Sequence, residues 1–347
     1  MLSFVEVRLT PLEGPMSSNI ARRKFIAALG GAAASWTRAV RAQQRALPVV
    51  GFVNGRSAES SGYYLAAFRQ GLQEAGFVEG QNVTVEYHWL EGQYGRLREL
   101  MADLVRRQVA VIATPGSNPA AVAAKDATGT IPIVFGVGED PVRLGLVASL
   151  ARPGGNATGV NFFGQEVVPK ALRLLHDLVP KAVRLAVLAN PANRSVSDAT
   201  IRAINETAPA LGVTVQILHA TTIGEIDAAF ATFASERPDA LFVVPDGFFS
   251  SRSGQFATLT ARDKVPAAYW NRDFVAAGGL MSYGTDLADT YRQVGVYTGR
   301  ILKGAKPADL AVVQSTKFLF AINHQTARAL GIDVRPDVLS IADEVIE

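Results

Sequence analysis

The sequence contains no cysteine and only four histidines among its 347 residues. The absence of cysteine excludes disulfides, thiolate metal sites, cysteine nucleophiles and a lipid-anchored cysteine. The histidines, at positions 88, 176, 219 and 324, show no HxxxH or HExxH spacing, and neither a G-x-S-x-G elbow nor a Walker A motif occurs. We therefore expect no catalytic residues, no metal site and no cofactor.

The sequence also lacks a long hydrophobic run. Hydrophobic residues make up 48% and charged residues 19% of the chain, which is too apolar for intrinsic disorder. No uninterrupted apolar run approaches the roughly 18 residues that a membrane span needs, so we expect a mature protein that is not embedded in a membrane. The length favours about two domains, because a single core stops growing below that size.

The excess of positive charge lies wholly at the N-terminus. The formal net charge is +3, but residues 1–42 contain six bases and two acids, which leaves 28 bases and 29 acids in the remainder. Within this segment, RRKFI at 22–26 resembles a twin-arginine export signal, and an apolar run extends over 25–36. Val40 and Ala42 suit the −3 and −1 positions of a cleavage site. We expect a signal peptide over 1–42, cleaved near Ala42, and a periplasmic protein exported by the twin-arginine or the general secretion route.

Beyond Pro48, short β-branched runs alternate with stretches of helical period. This alternation is typical of βαβ units around parallel sheets. After residues 151–160 the pattern restarts, and the Pro-Gly-Gly at 153–155 indicates a connection between two similar halves. The sequence therefore predicts an α/β protein with two parallel sheets flanked by helices.

Polar loops rich in glycine and hydroxyl side chains follow the carboxyl ends of nearly all the predicted strands. In open α/β sheets these ends form the ligand crevice. A single loop of this kind is explained by the turn at the start of a helix, but six together predict a cleft between the two lobes. The loops lie at residues 54–57, 114–117, 138–140, 190–193, 245–247 and 282–284.

The residues of the predicted cleft suit a small zwitterion. Ser117 and the amides that follow Gly116 would lie at a helix N-terminus, where N–H groups and the helix dipole favour a carboxylate. Asp246 follows an apolar strand and is placed to accept hydrogen bonds from an ammonium or hydroxyl group. The aromatic side chains that could enclose an apolar part of the ligand are Tyr63, Phe248, Phe249, Trp270 and Tyr283.

Four long segments of the mature chain carry the pattern of a known family. They are AAFRQGLQEAGFVEGQNVTVEY (66–87), GEDPVRLGLVASLARPGGNATGV (138–160), RDFVAAGGLMSYG (272–284) and GRILKGAKPADLAV (299–312). These segments resemble the ABC-transporter substrate-binding proteins of the TrpX-like group, whose characterised members look like receptors for aromatic or branched amino acids. The resemblance implies a type I periplasmic-binding-protein fold, with two Rossmann-like lobes joined by a three-crossover hinge that closes on the ligand.

The same resemblance implies where the lobes divide and where a ligand binds. The N-terminal lobe would hold residues 46–160 and 285–308, and the C-terminal lobe would hold 161–284 and 309–347. Ligand contacts would come from the loops that follow strands of both lobes. Together with the polar loops, this gives a candidate binding set of Asn54, Ser57, Tyr63, Thr114, Gly116, Ser117, Gly138, Glu139, Asp140, Asn190, Asp246 and Tyr283.

These observations predict a periplasmic solute-binding receptor of an ABC importer. The solute would be small and polar, either an amino acid, aromatic or branched, or an aromatic acid. Lobe closure on the solute would stabilise the state that an inner-membrane ABC permease recognises. We expect a monomer that binds no nucleic acid.

Two other functions stay open from the sequence. An exported α/β hydrolase or racemase would use Asp246, Glu139 or a tyrosine as acid or base, but no spacing shows a nucleophile with its partner. A ligand-sensing transcription regulator on the same fold would need a basic helix-turn-helix ahead of the first strand. The export signal occupies that place instead.

Overall fold

Two β-sheets, each flanked by helices, organise the chain from Pro48 to Glu347. The computed structural model describes residues 47–162 and 167–347, and the predicted signal peptide lies outside these residues. We call each sheet with its helices a lobe. Across the described ranges, none of the helices combines the length and the apolar character that crossing a membrane requires.

The first lobe contains a six-stranded sheet in which all neighbouring strands are parallel. Its strands are β1 (Val49–Asn54), β2 (Thr84–Trp89), β3 (Val111–Thr114), β4 (Ile133–Val137), β5 (Ala157–Asn161) and β11 (Val313–Gln314), in the spatial order β11-β5-β4-β3-β1-β2. Helices α1 (Gly62–Glu74) and α10 (Leu287–Leu302) cover one face, and α2 (Leu97–Arg106) and α3 (Asn118–Ala127) cover the other. Burial on both faces explains why the central strands are continuous apolar runs.

The second lobe contains a seven-stranded sheet that is parallel except for one antiparallel pair, β10 with β12. Its strands are β6 (Arg184–Ala189), β7 (Thr214–His219), β8 (Ala240–Val243), β9 (Ala267–Tyr269), β10 (Met281–Thr285), β12 (Phe318–Asn323) and β13 (Glu344–Ile346), in the spatial order β13-β12-β10-β9-β8-β6-β7. One face is covered by α4 (Val168–Leu178), α5 (Arg194–Thr207), α11 (His324–Ala329) and α12 (Pro336–Ser340). The other face is covered by α6 (Ile223–Ala231), α7 (Gly247–Ser250), α8 (Ser253–Asp263) and α9 (Arg272–Ala276).

The chain passes between the lobes three times. The crossovers lie between β5 and α4, between β10 and α10, and between β11 and β12. This arrangement confirms the predicted α/β fold of two lobes with a three-crossover hinge.

Some elements differ from those expected from the sequence. Residues 151–160 read as a connection, but Ala157–Asn161 form β5, which pairs with β4. A Cβ atom on Gly159 would lie 2.0 Å from the Phe135 carbonyl oxygen, so β5 requires a glycine at this position. In the sequence this glycine looks like part of a turn. The pairing of β11 with β5 extends the first sheet to Gln314, beyond the expected boundary at residue 308. The polar loop expected at 282–284 lies inside β10.

Helix α10 follows the second crossover and returns to the first lobe, where it crosses α1. A Cβ atom on Gly71 of α1 would lie 1.9 Å from the Arg292 carbonyl oxygen. One on Gly295 of α10 would lie 2.2 Å from the Phe68 carbonyl oxygen. The two backbones touch where only glycine fits. This close crossing fixes α10 on the first lobe, so the hinge lies in the crossover that precedes α10 and in the other two crossovers, and not in the helix itself.

Candidate ligand-binding site

A cleft between the lobes lies where the strands of both sheets end. Its cavity volume is about 60 Å³ in this structure, which is smaller than the roughly 300–1,000 Å³ typical of small-molecule sites. Because parallel strands end at the same edge of a sheet, the helices that follow them begin at the cleft. The lining residues are Arg56, Tyr94, Gly116, Ser117, Asn118, Pro119, Gly138, Phe162, Asn193, Val196, Pro245, Asp246, Gly247, Ser250, Trp270, Leu287 and Tyr291.

The N-terminus of α3 forms one wall of the cleft. Ser117 is the N-cap residue, and its Oγ accepts a hydrogen bond from the Ala120 amide at 3.4 Å. Asn118 is 4% exposed, and its Oδ1 accepts a hydrogen bond from the Gly138 amide at 3.1 Å. Its Nδ2 is buried and has no hydrogen-bond partner among the described residues. A spare donor therefore lies at a helix N-terminus, where the dipole favours an anionic group.

Arg56, which follows β1, brings further donors to the same wall. Its Nη2 donates to Asp273 Oδ2 at 2.5 Å and to the Ser60 carbonyl oxygen at 2.9 Å. The Tyr64 hydroxyl donates to the other Asp273 oxygen at 3.1 Å, and its ring centroid lies 4.6 Å from the guanidinium carbon. The Nε of Arg56 is buried and finds no acceptor in the described part of the chain. The guanidinium thus links the lobes and still has a donor to offer.

Asp246 faces the cleft from the second lobe, and its carboxylate is saturated by hydrogen bonds. The five donors are the side chains of Asn190, Asn193 and Tyr94 and the amides of Phe248 and Phe249, at distances of 2.9–3.2 Å. Burial raises the pKa of Asp246, against the lowering effect of these bonds. Asp246 therefore caps α7 and braces the loop after β6.

Asn193 precedes α5 and contributes the remaining polar atom of the second lobe. Its Nδ2 is bound to Asp246, whereas its Oδ1 is buried and has no partner within the described ranges. The side chain does not cap the helix, so the first-turn amides of α5 have no side-chain acceptor. Val196 of that turn lines the cleft. The start of α5 therefore adds a second helix dipole that is positive toward the cleft.

Aromatic rings line the apolar part of the cleft. Trp270 follows β9 and packs against Phe274 with 4.7 Å between ring centroids. Phe162, Tyr94 and Tyr291 also line the cleft. Burial raises the pKa of Tyr291, so its phenol stays neutral. A wall of aromatic rings beside spare polar groups suits a ligand that is planar at one end and polar at the other.

The two lobes touch along one side of the cleft. Besides the Tyr94–Asp246 and Arg56–Asp273 bonds, the Ser57 amide donates to Ser251 Oγ at 2.8 Å. A Cβ atom on Gly247 would lie 2.8 Å from the carbonyl carbon of Gly55, which shows that the two backbones are in direct contact. The structure is therefore in a closed arrangement.

Several of the residues expected to bind a ligand lie at the cleft or directly behind it. The cleft wall includes Gly116, Ser117, Gly138 and Asp246. Asn54 is fully buried behind the wall, where its Nδ2 donates to the Pro115 carbonyl oxygen at 2.5 Å and to the Tyr291 hydroxyl at 2.7 Å. Thr114 is also buried behind the wall, and Asn190 reaches the cleft only through Asp246.

The carboxylates expected after β4 do not line the cleft. Glu139 is half-buried, and burial raises its pKa, against the lowering effect of the nearby Ser195 side chain of the second lobe; its Oε2 has no hydrogen-bond partner among the described residues. Asp140 lies in an exposed turn, where its Oδ1 accepts a hydrogen bond from the Val142 amide at 2.8 Å. Ser57 does not line the cleft either, and its amide donates to Ser251 of the second lobe.

Of the aromatic candidates, only Trp270 lines the cleft. Tyr63 is 62% exposed outside it. Tyr283 packs in the core of the second lobe, and Phe248 and Phe249 pack in the core on the other face of the same sheet. The position of a residue along its strand or helix decides which face its ring lies on, so the presence of an aromatic residue near the cleft does not show that its ring lines the cleft.

Seven polar or aromatic residues of the cleft are not among the candidates predicted from the sequence: Arg56, Tyr94, Asn118, Phe162, Asn193, Ser250 and Tyr291. Arg56 and Asn193 lie inside two of the predicted polar loops, and Asn118 directly follows a third. The composition of these loops therefore marked them as part of the cleft, but it did not show which of their side chains point into it. Tyr94 lies in the segment between β2 and α2, which is not among the six polar loops predicted to form the cleft.

Comparison with known proteins identifies the family. The profile described as "ABC transporter substrate binding protein" matches residues 49–346. The chain is 26% identical over 265 residues to a tyrosine-binding protein of Clostridioides difficile (strain R20291), covering 76% of this chain and 75% of that protein.

Solved structures agree with this assignment. The chain is similar to the ABC domain in complex with L-Trp from Streptococcus pneumoniae, with 25% identity, a TM-score of 0.77, and coverage of 87% of this chain and 100% of that chain. It is equally similar to a conserved domain protein from Vibrio cholerae o1 biovar eltor, with 25% identity, a TM-score of 0.77, and coverage of 86% and 99%. The relatives named for a ligand are binding proteins and not enzymes, which disfavours the hydrolase or racemase alternative. The expected type I periplasmic-binding-protein fold is confirmed, and the chain belongs to the family of ABC transporter substrate-binding proteins.

Proposed function

We propose that this substrate-binding protein takes up an aromatic amino acid in the cleft between its lobes. The observation that carries the proposal is the placement of spare hydrogen-bonding atoms and aromatic rings in one enclosed space. Asn118 and Arg56 offer donors from the first lobe, Asn193 offers an acceptor from the second, and Trp270 lies among them. A ligand that satisfies atoms from both lobes stabilises the closed state.

The names of two relatives support the aromatic side chain. One is a tyrosine-binding protein and the other was solved in complex with L-Trp. Branched amino acids and aromatic acids would use the same polar atoms, but branched side chains would leave the ring-lined wall without a stacking partner.

We further propose that the mature protein acts in the periplasm, after removal of residues 1–42, and delivers its ligand to an inner-membrane ABC permease. The basic and apolar pattern of that segment supports export. The near-balanced charge of the remainder, 28 bases and 29 acids, gives no reason to expect nucleic-acid binding.

Isothermal titration calorimetry of the mature protein with L-tyrosine, L-tryptophan, L-leucine and glucose tests this proposal. We expect binding of at least one aromatic amino acid, weaker binding of leucine and none of glucose. A ligand present at a hundred times its Kd should also raise the free energy of unfolding by about 2.7 kcal/mol. The proposal fails if neither aromatic amino acid binds.

The variant Trp270→Ala tests whether the ring-lined wall is the site. Removing a ring that the ligand buries should weaken binding roughly tenfold to a hundredfold. Thermal unfolding without ligand separates this effect from a loss of folding, because Trp270 also packs against Phe274. Unchanged affinity in a folded variant would place the ligand elsewhere.

A further inference from the structure

We propose that the cleft recognises its ligand through a carboxylate and does not require an ammonium group. Aromatic carboxylic acids that lack an amine would then be ligands of this receptor, and aromatic amines that lack a carboxylate would not. The inference rests on the proposed function, because it takes the cleft as the binding site. It deepens that function by defining the substrate class as aromatic acids, of which amino acids are one case.

The cleft has hydrogen-bond donors to spare. Asn118 and Arg56 are both 4% exposed, and each keeps one buried nitrogen without a partner among the described residues. The helices α3 and α5, of 10 and 14 residues, begin at the cleft from opposite lobes. Their N-terminal dipoles add to the same positive potential. These groups all favour an anion.

The carboxylates at the cleft wall and behind Arg56 are already occupied, whereas Glu139, whose Oε2 has no partner among the described residues, does not line the cleft. Asp246 accepts five hydrogen bonds, more than the roughly four lone-pair sites that a carboxylate offers. Asp273 is bound to Arg56 and Tyr64 and does not line the cleft. Arg56 and Asp246 are the only charged side chains among the described lining residues.

An ammonium group would find few free acceptors in the cleft. Among the side chains that line the described cleft, Asn193 Oδ1 is the one buried acceptor without a partner, and it is neutral. To reach the Asp246 carboxylate, an ammonium would have to displace the Tyr94 hydroxyl or the Asn193 amide. A bond to a neutral acceptor contributes less than one to a charged group. Loss of the amine should therefore weaken binding far less than loss of the carboxylate.

Two matched series of compounds test the inference by calorimetry. One consists of L-tryptophan, indole-3-propionate and tryptamine, and the other of L-tyrosine, 3-(4-hydroxyphenyl)propionate and tyramine. We expect each propionate to bind within about tenfold of its amino acid, and each amine to bind at least about a hundredfold more weakly, since several charge-assisted bonds are lost together.

The variant Asn118→Asp tests the role of the spare donor. An aspartate keeps the oxygen that accepts from the Gly138 amide and suits the first turn of a helix, so the fold should be retained. It replaces the donor with a negative charge, so the propionates and amino acids should lose about a hundredfold in affinity while tryptamine and tyramine gain. The control is Asn205→Asp, which makes the same change at an exposed position of α5 outside the cleft and should change none of these affinities.

The outcomes separate the two proposals. If an amino acid binds but its propionate is weakened more than a hundredfold, the inference is wrong and the proposed function stands. The same conclusion follows if tryptamine or tyramine binds as tightly as its amino acid, or if Asn118→Asp leaves the affinity for the propionates unchanged. If none of the six compounds binds, the proposed function itself fails.

Discussion

The contact between Gly55 and Gly247 predicts a single substitution that opposes lobe closure without disturbing either lobe. Gly247→Ala would place a Cβ atom 2.8 Å from the Gly55 carbonyl carbon and 3.1 Å from its Cα, whereas ordinary contact begins at 3.4 Å. Both neighbours are backbone atoms and cannot turn aside. Gly247 does not have a positive φ, so alanine fits the local conformation and the clash arises only when the lobes meet.

The magnitude follows from the cost of overpacking. Inserting a methyl group into a tight contact typically costs about 1–3 kcal/mol, and here the closed state alone bears it. Since about 1.4 kcal/mol corresponds to a tenfold change in an equilibrium constant, the ligand should bind roughly 5- to 150-fold more weakly. The free energy of unfolding without ligand should change little, because each lobe is unaltered when they are apart.

Calorimetry with an aromatic amino acid measures the affinity, and small-angle X-ray scattering with and without that ligand measures the closure. The matched control is Gly254→Ala in α8, where an added Cβ meets no atom within 4 Å. We expect the control to bind and compact like the parent protein. If Gly247→Ala also binds with full affinity and compacts fully, the contact between the two backbones does not form in the liganded protein.

Three other substitutions test the fold and its charges. Gly71→Ala should lower the free energy of unfolding in urea by about 3 kcal/mol, because the new Cβ would meet the Arg292 carbonyl oxygen at 1.9 Å, whereas Gly62→Ala on the same helix meets no atom within 4 Å and should be neutral or stabilising. Burial raises the pKa of Glu139 above its ordinary 4.5, so the folded protein binds a proton at this carboxyl group more tightly than the unfolded chain does, and the parent protein loses stability as the pH rises through the folded pKa. The thermal midpoint of Glu139→Gln, relative to that of the parent protein, should therefore rise between pH 4 and pH 8. A constant difference would contradict this. Asp246→Asn should cost about 1–3 kcal/mol in urea unfolding, since its amide nitrogen would face donors, and an unchanged value would show that the five hydrogen bonds do not restrain the loop.

The fold was largely predictable because its signals are local. The central strands, from Val49–Asn54 to Ala240–Val243, are short apolar runs between stretches of helical period. This alternation can be recognised without knowing which elements pack against one another. The strand β5 escaped prediction because Gly159 is required by the close approach of β4, a tertiary constraint. The strand β11 has two residues and no period to recognise.

The site was predictable as a set of loops but not as a set of atoms. The rule that ligands bind at the carboxyl ends of parallel strands located the cleft. Asp246 lies there as predicted, yet the expectation that it offers an acceptor to an ammonium group conflicts with its five protein donors, which come from segments as distant in sequence as Tyr94 and Asn190. Whether a carboxylate is spare or saturated depends on these long-range contacts, and a sequence pattern does not contain them.

A crystal structure of the mature protein with L-tryptophan or L-tyrosine tests the central claim most directly. We predict closed lobes, with the ring of the ligand against Trp270 and its carboxylate within about 3.2 Å of Asn118 Nδ2 at the N-terminus of α3. The Asp246 carboxylate should keep its bonds to Tyr94 and Asn193. An empty cleft at saturating ligand, or a ligand whose ammonium group sits on Asp246 while its carboxylate faces solvent, would contradict the account.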